Sequence, residues 1–89
     1  MKYLKKFSAA WCSPCRQLRN VTEQINFPEH DIDLEEIDID SITRLKLQEL
    51  GVKGVPTMIL YDDKGNEISR KTGAMSVDQL ETWLGIKED

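Results

Sequence analysis

The chain holds two cysteines, and they stand three residues apart in Trp11-Cys12-Ser13-Pro14-Cys15. No other feature narrows the possible folds so far. A Cys-x-x-Cys pair is either a redox dithiol, expected in a strand–helix–strand setting, or half of a zinc site. Structural zinc takes four ligands, usually Cys and His. Beyond the pair the chain offers a single histidine, His30, so a self-contained site would have to recruit a carboxylate. The redox dithiol is the stronger reading, and it asks for α/β surroundings.

The residue pattern supplies them. Residues 2–8 read as a strand, with Tyr3 and Phe7 on one face and Leu4, Lys6 and Ser8 on the other. A first helix is predicted to open close to Cys12, because Pro14 suits a first turn where its missing N–H costs nothing. Leu18, Val21 and Ile25 recur at helical spacing, and Phe27-Pro28 is expected to close the element. Residues 32–39 read as a second strand, Ile32 and Leu34 facing one way and Ile37 and Ile39 the other. Apolar residues on both faces predict a central strand covered on both sides.

Asp40 or Ser41 is expected to cap a second helix carrying Ile42, Leu45 and Leu50, with Gly51 as its stop. Residues 57–61 and 67–71 read as strands joined by Asp62-Asp63-Lys64-Gly65-Asn66, a hairpin loop in which Gly65 is free to take positive φ. Ser76-Val77-Asp78-Gln79 is a capping box for a last helix with the stripe Val77, Leu80 and Leu84. The order is βαβαββα, a compact α/β design with no linker. Eighty-nine residues are expected to make one domain, residues 1–89.

The formal charge of −4 disfavours a nucleic-acid partner, which wants clustered Lys and Arg. No apolar run approaches the roughly 18 residues that a membrane span needs. Met1-Lys2-Tyr3-Leu4-Lys5-Lys6 has charge but no following apolar stretch, so a signal peptide is not expected. A cytoplasmic location follows as the expectation, and there a vicinal dithiol is catalytic or redox-sensing instead of a staple.

A thiolate, not a thiol, attacks a disulfide, so a reactive cysteine needs a lowered pKa. Cys12, at the predicted helix N-terminus, meets unpaired N–H groups and the positive end of the macrodipole. Cys15 lies one turn further in, on the same face, and is expected to be the more shielded. That order makes Cys12 the nucleophile and Cys15 the resolver of the mixed disulfide. Trp11, next to the nucleophile, is expected to form an apolar rim for substrate.

With these residues in view, the chain resembles the thioredoxin family. Trp11-Cys12-Ser13-Pro14-Cys15 matches the family's active-site pattern. Gly54-Val55-Pro56-Thr57 is similar to its cis-proline loop, and Gly73-Ala74 to the loop that completes the substrate groove. The resemblance runs from about residue 2 to residue 84 and implies a minimal thioredoxin fold, a four-stranded mixed sheet of order 2-1-3-4 flanked by three helices. It further implies a cis bond before Pro56, a redox-active Cys12–Cys15 disulfide with no other cofactor and no metal, and substrate contacts from Trp11, Ser13, Pro14, Val55, Pro56 and Gly73.

Four positions depart from the family pattern. The leading strand and helix of longer members are missing from the resemblance. Ser13 replaces the usual glycine, and Asn20 stands where a helix-kinking proline is common. Lys6 occupies the place of the family's buried aspartate, while Glu36 occupies the place of its partner lysine. Lys6 and Glu36 are therefore expected to form a reversed pair in the catalytic set, with Glu36 helping to deprotonate Cys15. The pattern alone puts Lys6 on the Leu4 face and Glu36 on the Leu34 face. The other carboxylates of the acidic run from Glu29 to Asp40 lack the glycine and terminal glutamate of a calcium loop and read as solvated strand ends.

The expected activity is reduction of protein disulfides by dithiol exchange, in a monomer whose partners are disulfide-containing proteins and a thioredoxin-reductase-like electron donor. A glutathione-dependent, glutaredoxin-like enzyme is the nearest alternative. A non-catalytic binding module, or a dimer bridging an iron–sulfur cluster through Cys12, is the alternative of a different class.

Overall fold

The computed structural model of the protein describes residues 1–86, so residues 87–89 of the expected domain lie outside the described residues. Strand β1 (Lys2–Ser8) leads into helix α1 (Ser13–Thr22). A short 3₁₀ turn (Phe27–His30) precedes β2 (Ile32–Asp38), and a second (Ile39–Ser41) precedes α2 (Arg44–Leu50). β3 (Thr57–Tyr61) and β4 (Glu67–Thr72) form the hairpin, and α3 (Val77–Leu84) follows. The sheet order is β2-β1-β3-β4, with β1 and β2 parallel and the other pairs antiparallel. This is the mixed four-stranded sheet that the resemblance implied.

Period two divides the sheet between two faces. Leu4, Ile32, Met58 and Leu60 join Leu18 of α1 and Leu80 and Leu84 of α3 in the main core. Burying side chains of this kind contributes about 1.5–3 kcal/mol each, so this layer supplies most of the drive for collapse. Phe7 and Ile59 are fully buried on the opposite face. Arg70, directly across from Ile59, reaches α2 on that side and donates to the carbonyls of Leu50 and Gly51. It thereby satisfies acceptors that a helix C-terminus leaves open.

Three local expectations are corrected. α1 ends at Thr22, because the N–H groups of Gln24 and Ile25 turn back to the carbonyls of Val21 and Thr22, three residues behind. Ile25 packs against the core from the connection, not from the helix. α2 is capped by Thr43, whose hydroxyl accepts from the Lys46 N–H at 3.1 Å, and not by Asp40 or Ser41. Those two lie in the second 3₁₀ turn, where the Asp38 carboxylate takes the Asp40 N–H. β2 is an edge strand, not a central one. β1 takes the middle by pairing on both sides, and β2's alternating apolar residues are only partly covered beyond Ile32. The capping box of α3 is present in both directions, Ser76 to Gln79 and back.

Candidate active site

The C-terminal end of β1 delivers the chain to the start of α1, and Cys12 becomes the N-cap of that helix. Its φ and ψ of −95° and 112° are extended, and its sulfur accepts from the Cys15 N–H at 3.2 Å. Ser13 and Pro14 fill the first two helical positions, where proline loses no hydrogen bond. The cap that Ser or Asp usually provides is thus given to a sulfur. As a thiolate it would be a much better acceptor, and the orphan N–H groups and the macrodipole there favour its charge.

Cys12 and Cys15 are joined as a disulfide, with Cα atoms 5.2 Å apart. Both residues are 5% exposed, so the expected difference in shielding does not exist. Both pack with Ala9, Ile39 and Val55 in a small cluster of their own. What separates the two cysteines is position: one caps the helix and the other lies inside its first turn.

Three loops converge on the pair. The Cys12 sulfur lies 3.7 Å from the Val55 carbonyl oxygen, and the Val55–Pro56 peptide bond is cis. The Thr57 hydroxyl donates to the Gly54 carbonyl at 2.6 Å, tying that loop to itself. The Gly73 N–H donates to the Pro56 carbonyl at 2.9 Å, and Gly73 holds φ at +87°, a region that side-chain-bearing residues avoid. Trp11 is 66% exposed, which suits a rim residue, and its indole N–H donates to the Asp40 carboxylate at 3.1 Å. Trp11, Ile39, Leu47, Val52 and Val55 wall a shallow depression of about 380 Å³ beside the disulfide.

Asp40, Ile39 and Leu47 were not expected at the site. Asp40 reads in the sequence as a helix cap within an acidic run and Ile39 as a strand residue, and only the turn at residues 39–41 carries Asp40 to Trp11. The nearest sequence signal was its place just after a strand that runs parallel to β1.

Lys6 and Glu36 are brought together. They are directly opposed in the β1–β2 register, and the Lys6 ammonium lies 3.5 Å from a Glu36 carboxylate oxygen. The Lys6 side chain is 2% exposed and that of Glu36 is 38% exposed, so one member is buried and the other half open. Lys6 also donates to the Thr22 hydroxyl at 3.3 Å. Glu36 accepts from Ser8 at 3.0 Å and from Arg19 at 3.1 Å. Burial pushes the Glu36 carboxyl up, but the hydrogen bonds from Ser8 and Arg19 and the charges of Lys6 and Arg19 outweigh it and hold it below the usual range. The partners of this pair lie on β1 and α1, and neither sulfur is among them.

Among the described residues, no group of three or more His, Cys, Asp or Glu is placed to hold a metal ion. No helix among them is long and apolar enough to cross a membrane.

A thioredoxin family model matches residues 1–85. Thioredoxin H2 of Arabidopsis thaliana is 35% identical over 75 residues, which cover 84% of this chain and 54% of that protein. The chain thus spans about half the length of this relative. The thioredoxin of Chlamydia caviae is 32% identical over 74 residues, covering 83% of this chain and 71% of its own. Among solved structures, a mutant thioredoxin from Halobacterium salinarum superposes with a TM-score of 0.78 at 32% identity, over 92% of this chain and 70% of that one.

Proposed function

This chain belongs to the thioredoxin family, and from that premise we propose that it is a thiol–disulfide oxidoreductase that reduces protein disulfides as a single-domain monomer. One observation carries the reading. A disulfide bridges the N-cap and the first turn of a helix, where the Cys15 N–H is already aimed at the sulfur of Cys12.

In the reduced protein the Cys12 thiolate attacks one sulfur of a substrate disulfide. A Cys12–substrate bond forms, the substrate S–S bond breaks, and one substrate thiolate leaves. Cys15 then gives up its proton and attacks the Cys12 sulfur. The Cys12–Cys15 bond forms, the second substrate thiol is released, and two electrons have passed to the substrate. Trp11, Ser13, Pro14, Val55, Pro56 and Gly73 are the proposed walls of the substrate groove. No group beyond the dithiol is needed for these steps, and a thioredoxin-reductase-like donor restores the thiols.

For Lys6 and Glu36 we propose a part in resolution that works through the helix. Their contacts with Thr22 and Arg19 tie α1 to the sheet, so they act as positioning residues for Cys15. The low-lying pKa of Glu36 suits an anchor better than a base, because a weakly basic carboxylate takes a thiol proton reluctantly.

The test offers the oxidised protein NADPH with a thioredoxin reductase and, separately, glutathione with its reductase. Rapid reduction by the first is expected. Reduction only by glutathione would overturn the choice of donor, and reduction by neither would overturn the carrier reading. Cys15→Ser is expected to accumulate mixed disulfides with substrates, and Cys12→Ser to trap none. Equal trapping by both would remove the division into nucleophile and resolver.

A further inference from the structure

β2 pairs with β1 along all seven of its residues, and its outer edge has no strand partner among the described residues. The N–H and C=O groups along such an edge are a template for another extended chain. All four acidic side chains of β2, Asp33, Glu35, Glu36 and Asp38, are exposed. Glu36 is engaged with Lys6, Ser8 and Arg19. Asp33 and Glu35 fall on the other face by period two and take part in no ion pair among the described residues. Lys5, directly across from Glu35, leans away and lies 5.3 Å from the centre of the Tyr61 ring.

The edge is not purely polar. Leu34 and Ile37 are half-buried along it, and on the α1 side it borders an open depression of about 750 Å³ that includes Ile25 and Phe27. Hydrogen-bonding backbone, apolar footholds and unneutralised carboxylates therefore occupy one line.

Charge decides what fits that line. A second copy of β2, parallel or antiparallel, would set carboxylates against carboxylates, which destabilises strand pairing. On the opposite edge strand Arg70 is already committed to Glu67 and to the end of α2, which leaves exposed Lys71 as a single cation against the four carboxylates of β2. A contact of β4 on β2 between copies would be heterologous and, unless its rotation closed a ring, would grow open-ended. An extended segment of another protein with alternating Lys or Arg satisfies both backbone and charge.

The edge also leads to the dithiol. β2 runs parallel to β1, so both strands end on the side where α1 begins. Two residues beyond β2 the chain reaches Asp40, whose carboxylate holds the Trp11 indole. We propose that the outer edge of β2 is a docking strand for an extended, lysine- or arginine-bearing segment of a substrate protein, added as a fifth strand while the substrate's disulfide reaches Cys12. Only the last clause rests on the oxidoreductase reading.

The experiment uses two peptides with the same disulfide, one with a seven-residue arm alternating Lys and Val, the other with Glu in place of Lys. A small armless disulfide serves as control, and a Lys-Val arm without cysteines is titrated against the protein by NMR. At low salt the Lys arm is expected to raise kcat/KM about three- to tenfold over the Glu arm, and the ratio should fall toward one in high salt. The amides of residues 32–38 should show the largest shifts and slowed exchange. Asp33→Lys with Glu35→Lys should abolish the ratio. Equal rates with both arms, a ratio that survives in the double variant, exchange unchanged at residues 32–38, or self-association through β2 would each overturn the proposal. If the wild-type protein fails to reduce even the armless disulfide, the oxidoreductase reading falls, and the NMR titration alone decides the docking.

Discussion

Neutralising Glu36 is expected to cost more than removing Lys6, although the two form one ion pair. Breaking a fully buried pair by deleting one partner costs about 3–5 kcal/mol, because the survivor keeps its desolvation penalty without its counter-charge. Here the two survivors differ. After Glu36→Gln, Lys6 remains with its side chain 2% exposed and the Thr22 hydroxyl as its remaining partner. The new amide oxygen still accepts a hydrogen bond, so the loss is scaled down to about 2–3 kcal/mol. After Lys6→Met, Glu36 keeps Ser8, Arg19 and contact with water, its side chain being 38% exposed. Methionine fills the vacated space, and stability should stay within about 1 kcal/mol of wild type. The double variant should resemble Lys6→Met, which is strong coupling between the sites. Urea unfolding of the oxidised protein near pH 7 measures this. With a slope of about 1–3 kcal/mol per molar, the Glu36→Gln midpoint should drop by roughly 0.7–3 M. Equal small losses in both single variants, or a larger loss in Lys6→Met, would refute the argument that Lys6 is the desolvated partner. The rate of mixed-disulfide resolution in the same variants tests the positioning role separately.

Limited alkylation of the reduced protein near neutral pH should label Cys12 before Cys15, because the cap position favours its thiolate; peptide mapping that finds Cys15 first reverses the assignment. Gly73→Ala should destabilise by roughly 1 kcal/mol and slow disulfide reduction, since its Cβ meets nothing within 4 Å and only the φ of +87° opposes it. Unchanged stability would mean that the loop relaxes freely. Glu36, with its pKa depressed in the folded state, contributes stability that is present above the ordinary glutamate range and lost as pH falls through the lowered value. Acid unfolding curves should therefore be shallower for Glu36→Gln than for wild type, and parallel curves would contradict the shift. Asp40→Ala should free the Trp11 indole, visible as a change in tryptophan fluorescence near the dithiol with little loss of stability, the pair being exposed.

Local chemistry was legible without a structure. Period two in Leu4, Lys6 and Ser8, helical spacing in α3, the Ser76–Gln79 capping box and proline in the first turn of α1 all act within a few residues of one another. They were sufficient to place Cys12 at a helix start, which is the heart of the candidate site. What the sequence did not disclose depends on partners distant along the chain. Alternating Ile and Leu in β2 suit a central strand as well as an edge strand; the order 2-1-3-4 implied by the resemblance put β2 outside where the residue pattern did not, and the pairing of β1 on both sides is what keeps it there. The end of α1 at Thr22 and the choice of Thr43 as a cap were settled by competing turns on either side. Equal burial of the two cysteines comes from Ala9, Ile39 and Val55 closing over both, and no spacing rule carries that. The meetings of Trp11 with Asp40, of Gly73 with Pro56 and of Arg70 with the end of α2 span 17 to 29 residues. Patterns within the chain report which face a residue prefers, whereas packing between elements decides which residue it meets there.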